Sequence, residues 1–325
     1  MKILLFGCVH GRFDIVCQKI DEYKPDLAVL LGDLQTFIEE GDMDACNLKA
    51  KYRDMGHFRE LLTGKLSLSC PTVCIGGNHE NVKHLAAFRN GGYLCANLFY
   101  LGSGMYTVVI NGRQIDIAAI SGISHFPIID SVRLSQHPFL SNDFQQRDIQ
   151  FLTRACKSDL NSIPVLSTPT LVLSHDWPLG VSRLLPKSKL VTKQSNLADP
   201  RIGGPVSALL LKQIRNQNCV YCCSHMHFQT ENFITVQNEP TNVAEVDWTF
   251  SKEQKRIKFI ALNKVEHAGY QEITYFDSKS NKQNGVWAGE KYFGDFCDGQ
   301  YRENELVNAN GVWILVNGEN KVVLE

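Results

Sequence analysis

Short apolar stretches along the chain alternate with segments of helical spacing, and each of these stretches ends in polar residues. Five of them fit buried β-strands: residues 2–6, 27–31, 72–75, 171–173 and 220–223. Apolar residues also recur at helical spacing between Phe13 and Ile20, which predicts a helix over residues 13–23. Buried strands that alternate with helices place their loops at one edge of a sheet. The pattern therefore predicts an α/β protein whose polar loops gather at one edge.

Weaker patterns predict further elements on both sides of the fourth and fifth strands. Strands are expected at residues 98–101, 106–110, 114–120, 233–236, 258–262 and 272–276, and helices at residues 144–156 and 205–215. Residues 278–285 have the composition of a polar linker. We therefore divide the chain into a large domain, residues 1–278, and a small C-terminal tail, residues 279–325. In the tail, residues 312–316 and 321–324 flank Asn317-Gly318 as a candidate β-hairpin.

Composition supports a folded protein and restricts its class. The 325 residues are 44% hydrophobic and 21% charged, which is typical of globular domains. The formal charge of −1 means that any contact with nucleic acid must be local. The 11 cysteines are odd in number and scattered, as in the apolar stretch that holds Cys219 and Cys222, which favours reduced buried thiols in the cytosol or nucleus. We expect no secretion signal and no membrane span.

The polar ends of the five strands carry residues that can ligate metal ions. They are Cys8, His10, Asp33, Asn78, His79, His175, His225 and His227. Each cluster taken alone also fits a turn, a helix N-cap or a packed histidine. Five such clusters at the ends of five strands, in order along the chain, are improbable as a coincidence. The mixture of sulfur, nitrogen and oxygen ligands suits divalent transition metals, and Asp33 is the natural bridge between two of them.

At these positions the sequence resembles the calcineurin-like metallophosphoesterase superfamily. That superfamily carries the order D-x-H, G-D, G-N-H-E/D, H and G-H-x-H, and here the order stands as Cys8-Val9-His10, Gly32-Asp33, Gly77-Asn78-His79-Glu80, His175 and Ser224-His225-Met226-His227. Two residues depart from it, Cys8 in place of the first Asp and Ser224 in place of a Gly. Cys8, together with runs such as Lys51-Tyr52-Arg53-Asp54-Met55, is similar to the RNA lariat debranching enzymes within that superfamily.

The resemblance implies a β-sandwich flanked by helices, an α/β fold that some schemes class as α+β, with a small C-terminal extension. It also implies two divalent transition metal ions, Fe²⁺, Zn²⁺ or Mn²⁺, and distributes the ligands between them. One ion would take Cys8, His10, Asp33 and His227, and the other Asp33, Asn78, His175 and His225. A thiolate ligand favours such metals over magnesium or calcium.

The remaining roles also come from the resemblance. His79 would act as the general acid or stabilise the phosphate, and Glu80 and Asp176 would orient imidazoles, although a helix cap or a surface position fits each of them equally well. The implied reaction is hydrolysis of the 2′,5′-phosphodiester at the branch of an intron lariat, with branched RNA as the partner, no membrane and no protein partner that can be inferred. The implied location is the nucleus, with shuttling to the cytoplasm allowed.

Substrate-binding residues are less well marked. Residues 37–55 interrupt the core between Asp33 and the third strand, and this position holds the branch-recognition loop in the resembled family. Within it, Lys51 and Arg53 can contact phosphates and Tyr52 can stack on a base, but an ordinary solvated insertion fits equally well. Trp177 is a second stacking candidate or a core residue, and Arg183, Lys187, Lys189 and Lys193 form a second basic stretch.

Two other functions remain compatible with the sequence. One is a general metallophosphoesterase that acts on another phosphodiester or on a phosphoprotein. The other is a non-catalytic RNA-binding relative that has lost the metals, and substitutions among the ligands would mark it; Cys8 is the one departure among them.

Overall fold

A computed structural model describes residues 1–88, 90–124, 153–185, 203–236, 255–296, 305–309 and 312–316. Its strands are β1 Lys2–Phe6, β2 Leu27–Leu30, β3 Thr72–Cys74, β4 Gly92–Cys95, β5 Leu98–Tyr100, β6 Gly104–Ile110, β7 Arg113–Ile120, β8 Leu171–Ser174, β9 Val220–Cys223, β10 Thr230–Val236, β11 Lys255–Ala261, β12 Tyr270–Thr274, β13 Ser278–Lys279, β14 Gly285–Ala288, β15 Lys291–Tyr292, β16 Glu305–Ala309 and β17 Val312–Val316. Its α-helices are α1 Phe13–Tyr23, α2 Phe58–Leu62, α3 Val82–Ala86 and α4 Pro205–Gln213. None of the described helices is long and apolar enough to cross a membrane.

The strands form two large mixed sheets, which confirms the α/β prediction. The first sheet has the order β12-β1-β2-β3-β5-β4. The second has the order β10-β11-β9-β8-β7-β6-β14-β15, with β13 paired to β7. Residues from the facing sides of both sheets share one buried cluster, so the sheets pack face to face as the predicted sandwich.

Alternation along each strand explains why helices cover the outer faces. On β1, Ile3 and Leu5 point into the cluster between the sheets, while Leu4 and Phe6 point to the opposite side. There they pack with buried residues of α1, among them Phe13 and Val16. A strand that buries both faces needs a continuous apolar run, which is what the sequence shows at residues 2–6.

Parallel pairing brings the predicted polar ends together. Strands β1, β2 and β3 run parallel in the first sheet, and β8, β9 and β11 run parallel in the second. Backbone bonds continue beyond the strands, as from the His10 N–H to the Asp33 carbonyl (2.6 Å) and from the Ser224 N–H to the His175 carbonyl (3.1 Å). The loops are therefore fixed to one another by the same ladders that hold the strands.

The chain beyond residue 278 differs from our expectation. We expected the sheet to end there, but β14 pairs with β6 and β15 pairs with β14, so the sheet continues to Tyr292. Of the linker predicted over residues 278–285, residues 278–279 form β13, which pairs with β7, and residues 280–284 form the loop that leads into β14. The division into two domains at residue 278 stays a prediction.

Two further local predictions have mixed outcomes. In the tail, Val312–Val316 is a strand whose partner is Glu305–Ala309, while the predicted partner at residues 321–324 lies outside the described residues. Of the helix predicted over residues 144–156, the described part, residues 153–156, is not helical, because Arg154 forms a β-bridge with Ile123.

The cysteines of the described chain are buried and form no disulfide with one another. Cys219 and Cys222 lie beside and within β9 without exposure, which supports a packing role for this pair. Burial raises the pKa of Cys222 well above that of a free thiol.

Candidate metal centre

Four predicted ligands close around one point at the edge of the sandwich. The ligand atoms of Cys8, His10, Asp33 and His227 all lie within 4.8 Å of one another. The two Nε2 atoms of His10 and His227 are 3.3 Å apart, and Nε2 of His10 is 3.5 Å from Oδ2 of Asp33. Two histidines, a carboxylate and a thiol at these separations have the ligand types and number of a tetrahedral metal site.

The other predicted ligands gather on the opposite side of Asp33. Nε2 of His175 lies 3.4 Å from Oδ1 of Asp33 and 3.3 Å from Oδ1 of Asn78. The ring of His225 is 5.1 Å from that of His175, centroid to centroid. Asp33 therefore presents one carboxylate oxygen to each group, as a bridging ligand must.

Three observations indicate that this arrangement fits metal ions. Oδ2 of Asp33 is buried and has no hydrogen-bond partner in the described chain, although a buried carboxylate oxygen without a partner is costly. The Nε2 atoms of His10 and His227 face each other, so at most one of them can carry a proton, and at least one lone pair is left to bind a metal ion. A Cβ atom at Gly77 would collide with Oδ1 of Asp33 and lie 2.8 Å from Cε1 of His175, so this position keeps the space beside Asp33 open.

The backbone at these positions is strained. His10, Asp33, His225 and His227 have φ angles of 46°, 51°, 55° and 50°, in the left-handed region that residues with a Cβ rarely occupy. Such strain clusters at functional sites, where the surrounding structure holds it in place. It is a signal that the sequence does not carry, because none of these residues is Gly or Asn.

Burial keeps three of the imidazoles neutral, which is the form that binds metals. It lowers the pKa of His10 to about 4, that of His225 to about 3 and that of His227 to about 4. His175 differs: burial lowers its pKa, but the charge of Asp33 and a hydrogen bond to it outweigh burial and raise the pKa to about 9. For Asp33, burial raises the pKa, but the attraction of His175 more than offsets it and leaves the pKa well below its usual value.

A backbone carbonyl fixes the orientation of His175. Its Nδ1 donates a hydrogen bond to the carbonyl oxygen of Leu31 at 2.6 Å. Because Nδ1 carries the proton of that bond, a neutral His175 would have its lone pair on Nε2, the atom that faces Asp33 and Asn78. Carbonyl partners of this kind are common behind metal-binding histidines.

Cys8 lies in a position that favours a thiolate only when a cation is near. It is fully buried, and burial together with the negative charge of Asp33 raises the pKa of its thiol well above the ordinary value. A bound metal ion would remove this penalty, because the metal takes the place of the proton.

Glu80 links the loop after β2 to its own loop, which follows β3. Its carboxylate accepts hydrogen bonds from the backbone amides of Leu34 (2.9 Å), Gln35 (3.1 Å) and Gly77 (2.6 Å). Burial and the charge of Asp33 raise its pKa to about 7 in spite of these bonds. The structure thus gives Glu80 backbone partners instead of the imidazole that we predicted.

Asp176 also bonds to backbone. Its Oδ2 accepts a hydrogen bond from the amide of Ser124 at 3.2 Å, and burial raises its pKa to about 7. A Cβ atom at Gly204, the residue before α4, would collide with this carboxylate. Asp176 therefore fastens the loop after β8 to the backbone at Ser124, and of its predicted roles, to orient an imidazole, to cap a helix or to lie at the surface, the surface position does not fit its burial.

His79 stands beside the first group without being part of it. Its ring is 5.8 Å from that of His10, and its Nδ1 donates to the carbonyl oxygen of Asn47 at 2.9 Å. The side chain is partly exposed. Nε2 is therefore the ring nitrogen that is free to meet a substrate.

Comparison with known proteins places this arrangement in a family. Residues 1–186, more than half of the chain, match the calcineurin-like phosphoesterase family. The chain belongs to this family. Membership implies divalent metal ions at the site, and the first group of four ligands is a possible position for one of them.

Several curated relatives of this calcineurin-like phosphoesterase are lariat debranching enzymes. Lariat debranching enzyme A of Xenopus laevis is 29% identical over 87% of this chain and 51% of its own length. The lariat debranching enzymes of Arabidopsis thaliana (30% identical) and Saccharomyces cerevisiae (29%) each align with 70% of this chain, and with 54% and 57% of their own lengths. The chain thus spans about half the length of these relatives.

The segment over residues 37–55 divides into a buried part and an exposed part. Phe37 and Ile38 are buried, and Asp42 turns inward to accept hydrogen bonds from the amides of Ile38 and Glu39. This acidic residue therefore does not face a phosphate. Tyr52, in contrast, is 60% exposed. The segment is not the uniformly solvated insertion that was one of our two interpretations.

The exposed end holds the predicted RNA-binding residues. Nζ of Lys51 lies 4.7 Å from the centre of the Tyr52 ring. Arg53 forms an ion pair with Asp44 at 2.7 Å, so its charge is partly compensated. Lys51 and Tyr52 are accessible to a ligand, and Arg53 would have to exchange its partner.

The prediction that Trp177 stacks on a base is wrong. The side chain is fully buried and packs edge-on against Phe259, with ring centroids 5.7 Å apart. It belongs to the buried cluster that contains Val172 of β8 and Tyr221 of β9. Lys187, Lys189 and Lys193 lie outside the described residues, as does the side chain of Arg183.

Sequence reasoning missed two residues of this calcineurin-like phosphoesterase site. The side-chain amide nitrogen of Gln35 lies 3.1 Å from Nδ1 of His10 and so fixes the plane of that ring. Lys264 follows β11, next to Val265, whose amide donates to the Cys8 carbonyl at 3.1 Å. The signal for Lys264 was available, because β11 is another parallel strand that ends at the same edge.

Proposed function

We propose that the chain is a metal-dependent phosphodiesterase that hydrolyses the 2′,5′-phosphodiester bond at the branch point of excised intron lariat RNA. The observation that carries the proposal is the convergence of Cys8, His10, Asp33 and His227 within 4.8 Å, with His79 beside them. The similarity to lariat debranching enzymes supports the choice of substrate.

The site contains the parts that hydrolysis of a phosphodiester needs. Divalent ions, when bound, supply a hydroxide at neutral pH and neutralise charge on the phosphoryl oxygens. Asp33, Cys8 and the imidazoles would hold these ions. His79, with Nδ1 bonded to Asn47, can deliver a proton from Nε2 to the leaving 2′-oxygen.

The donor set supports zinc, iron or manganese as the ions. Cys8 adds a thiolate to imidazole and carboxylate ligands, and a soft thiolate favours these metals over magnesium and calcium. Elemental analysis of the purified protein is expected to find one or more of the three. If the protein holds none of them and its activity depends on magnesium alone, the ligand assignment is wrong.

Recognition of the branch is assigned to the exposed end of residues 37–55. Three strands meet at one nucleotide in a lariat, so the enzyme must recognise geometry rather than base identity. Lys51 can contact a phosphate and Tyr52 can stack on a base, and both are accessible. Basic residues at 187, 189 and 193 are the alternative surface.

The test compares a branched RNA with its linear 3′,5′ isomer, with and without added metal. The proposed function predicts metal-dependent cleavage of the 2′,5′ bond and no cleavage of the linear strand. Cleavage of both RNAs would support a general phosphodiesterase. Binding of the branched RNA without cleavage in any metal would support a non-catalytic relative.

We further propose that the protein acts in the nucleus, with shuttling to the cytoplasm allowed. Excised introns arise where splicing takes place, and the buried thiols of the described residues suit a reducing compartment. Imaging of a tagged protein in cells tests this location, and exclusion from the nucleus would contradict it.

A further inference from the structure

Ser224 occupies a point of contact between the two groups of ligands. It directly follows β9 and is fully buried. Its Oγ lies 3.4 Å from Sγ of Cys8, 3.3 Å from Nδ1 of His175 and 2.8 Å from the Leu31 carbonyl oxygen. Cys8 belongs to the first group and His175 to the second, so one hydroxyl touches both.

This hydroxyl is an addition to the pattern that the sequence resembles, in which a glycine stands before the two histidines. The backbone does not require it. The Leu31 carbonyl already accepts a hydrogen bond from His175, and the Ser224 backbone is held by its own bond to the His175 carbonyl.

We propose that Ser224 is a positioning residue that donates a hydrogen bond to the Cys8 sulfur when that sulfur holds a metal ion. This rests on the proposed metal centre. In the structure, the Cys8 thiol donates to Oγ of Ser224, and the Ser224 hydroxyl donates to the Leu31 carbonyl. A sulfur bound to metal has lost its proton to solvent and can only accept, so the hydroxyl turns from Leu31 to the sulfur.

The turn of the Ser224 hydroxyl has a consequence for each group of ligands. At the first, a hydrogen bond to a thiolate draws electron density from the sulfur and orients it, and outer hydrogen bonds of this kind tune metal sites. At the second, the Leu31 carbonyl oxygen loses the hydrogen bond from Ser224 and keeps the one from His175. Occupation of the first site therefore removes one of the two donors that the Leu31 carbonyl has in this contact, next to the bond that orients His175.

The test uses Co²⁺ as a coloured probe of the Cys8 sulfur. A thiolate bound to Co²⁺ absorbs in the near ultraviolet by transfer of charge from sulfur to metal. A hydrogen bond to the sulfur stabilises the electrons that are excited, so its removal shifts the band to lower energy. Ser224→Ala and Ser224→Gly are expected to show this shift and to bind Co²⁺ about 10–100-fold more weakly.

Two further variants make the result specific. Ser224→Thr keeps a hydroxyl and is expected to restore the band and the affinity. Ser174→Ala removes another fully buried hydroxyl at the end of β8, one that bonds to the Asp176 carbonyl at 2.6 Å, and is expected to change neither. Ser224→Gly matches the resembled pattern, so it provides a folded variant even if another substitution fails.

The outcomes separate this proposal from the one on which it rests. If the unmodified protein shows no thiolate band, Cys8 is not a metal ligand, and both the ligand assignment and the role of Ser224 are wrong. If the band is present but is identical in Ser224→Ala and Ser224→Gly, the metal centre stands and the role of Ser224 is overturned.

Discussion

The metal loops and the exposed end of residues 37–55 lie close together but are built in opposite ways. Asp33 is 1% exposed, and its carboxylate accepts hydrogen bonds from the backbone amides of Asn78 and His79. Tyr52 is 60% exposed, and its described partner is the flexible side chain of Lys51. Changes in the loops must disturb buried charge, while changes at the exposed end disturb little besides a ligand. Metal binding and catalysis can therefore be altered separately from substrate choice.

The border between the two regions runs through the segment itself. Asn47 belongs with the metal loops, because its carbonyl orients His79. Phe37 belongs with the core, where it is fully buried. The part of residues 37–55 that can be changed without disturbing the metal loops or the core therefore begins near Lys49.

The largest effect is expected for Asp33→Asn. This substitution keeps the shape but removes the charge shared by both groups of ligands, so metal content and activity on a small phosphodiester should fall together. The loss should exceed the roughly 10–100-fold that removal of an outer hydrogen-bond partner typically costs. Asp42→Asn is the matched control, a buried carboxylate that bonds to the amides of Ile38 and Glu39. Normal metal content in Asp33→Asn would contradict the bridging role.

The next largest effect is expected from the loss of the proposed general acid, His79. His79→Ala should lower the rate by about 10²–10⁴ and leave the metal content intact, because His79 lies outside the group of four ligands. Elemental analysis and single-turnover rates measure the two quantities. His57→Ala removes another partly exposed histidine, one that lies near Gly11, and serves as the control. Loss of metal in His79→Ala would move this residue into the ligand set.

The exposed end is tested by changes to side chains alone. The combination of Lys49→Ala, Lys51→Ala and Tyr52→Ala should lower cleavage of branched RNA at least about tenfold, since stacking of one base is worth about 1–3 kcal/mol. Hydrolysis of a small phosphodiester should be unchanged. Replacement of residues 37–50 by a Gly-Ser linker should instead impair both activities, because it removes Phe37 from the core and Asn47 from His79. If the triple variant cleaves branched RNA normally, recognition lies elsewhere.

The smallest effect is expected at the border between the two regions. Lys264 adjoins the Cys8 loop through Val265, so its charge can contact a phosphate of the bound strand. Lys264→Ala should weaken RNA binding modestly and reduce the salt dependence of binding by about one charge. Lys258→Ala is the control: Lys258 lies within β11 and pairs with Glu231 at 2.6 Å, closer than the 3.6 Å between Lys264 and Glu266, and its loss should leave the salt dependence unchanged. Equal slopes for the two variants would exclude a phosphate contact by Lys264.

Much of the fold and the ligand set could be predicted because both depend on local patterns. Apolar runs specify strands, helical spacing specifies α1, and parallel strands necessarily bring their carboxyl ends to one edge. Polar residues that follow those strands, such as Asp33 and His175, must then meet. The chemistry of sulfur, imidazole and carboxylate in one place follows from the residue types alone.

The tertiary structure decided what each of these side chains touches. His10 and His227 are 217 residues apart in the chain, and no local spacing specifies that their Nε2 atoms face each other. The burial of Trp177, the bond between Asn47 and His79, and the contact of Ser224 with Cys8 likewise depend on how one loop packs on another. Sequence periodicity determines which face of an element is buried. The packing of distant elements determines which partner a buried polar atom finds, because a hydrogen bond forms only with a group that lies within about 3 Å of it.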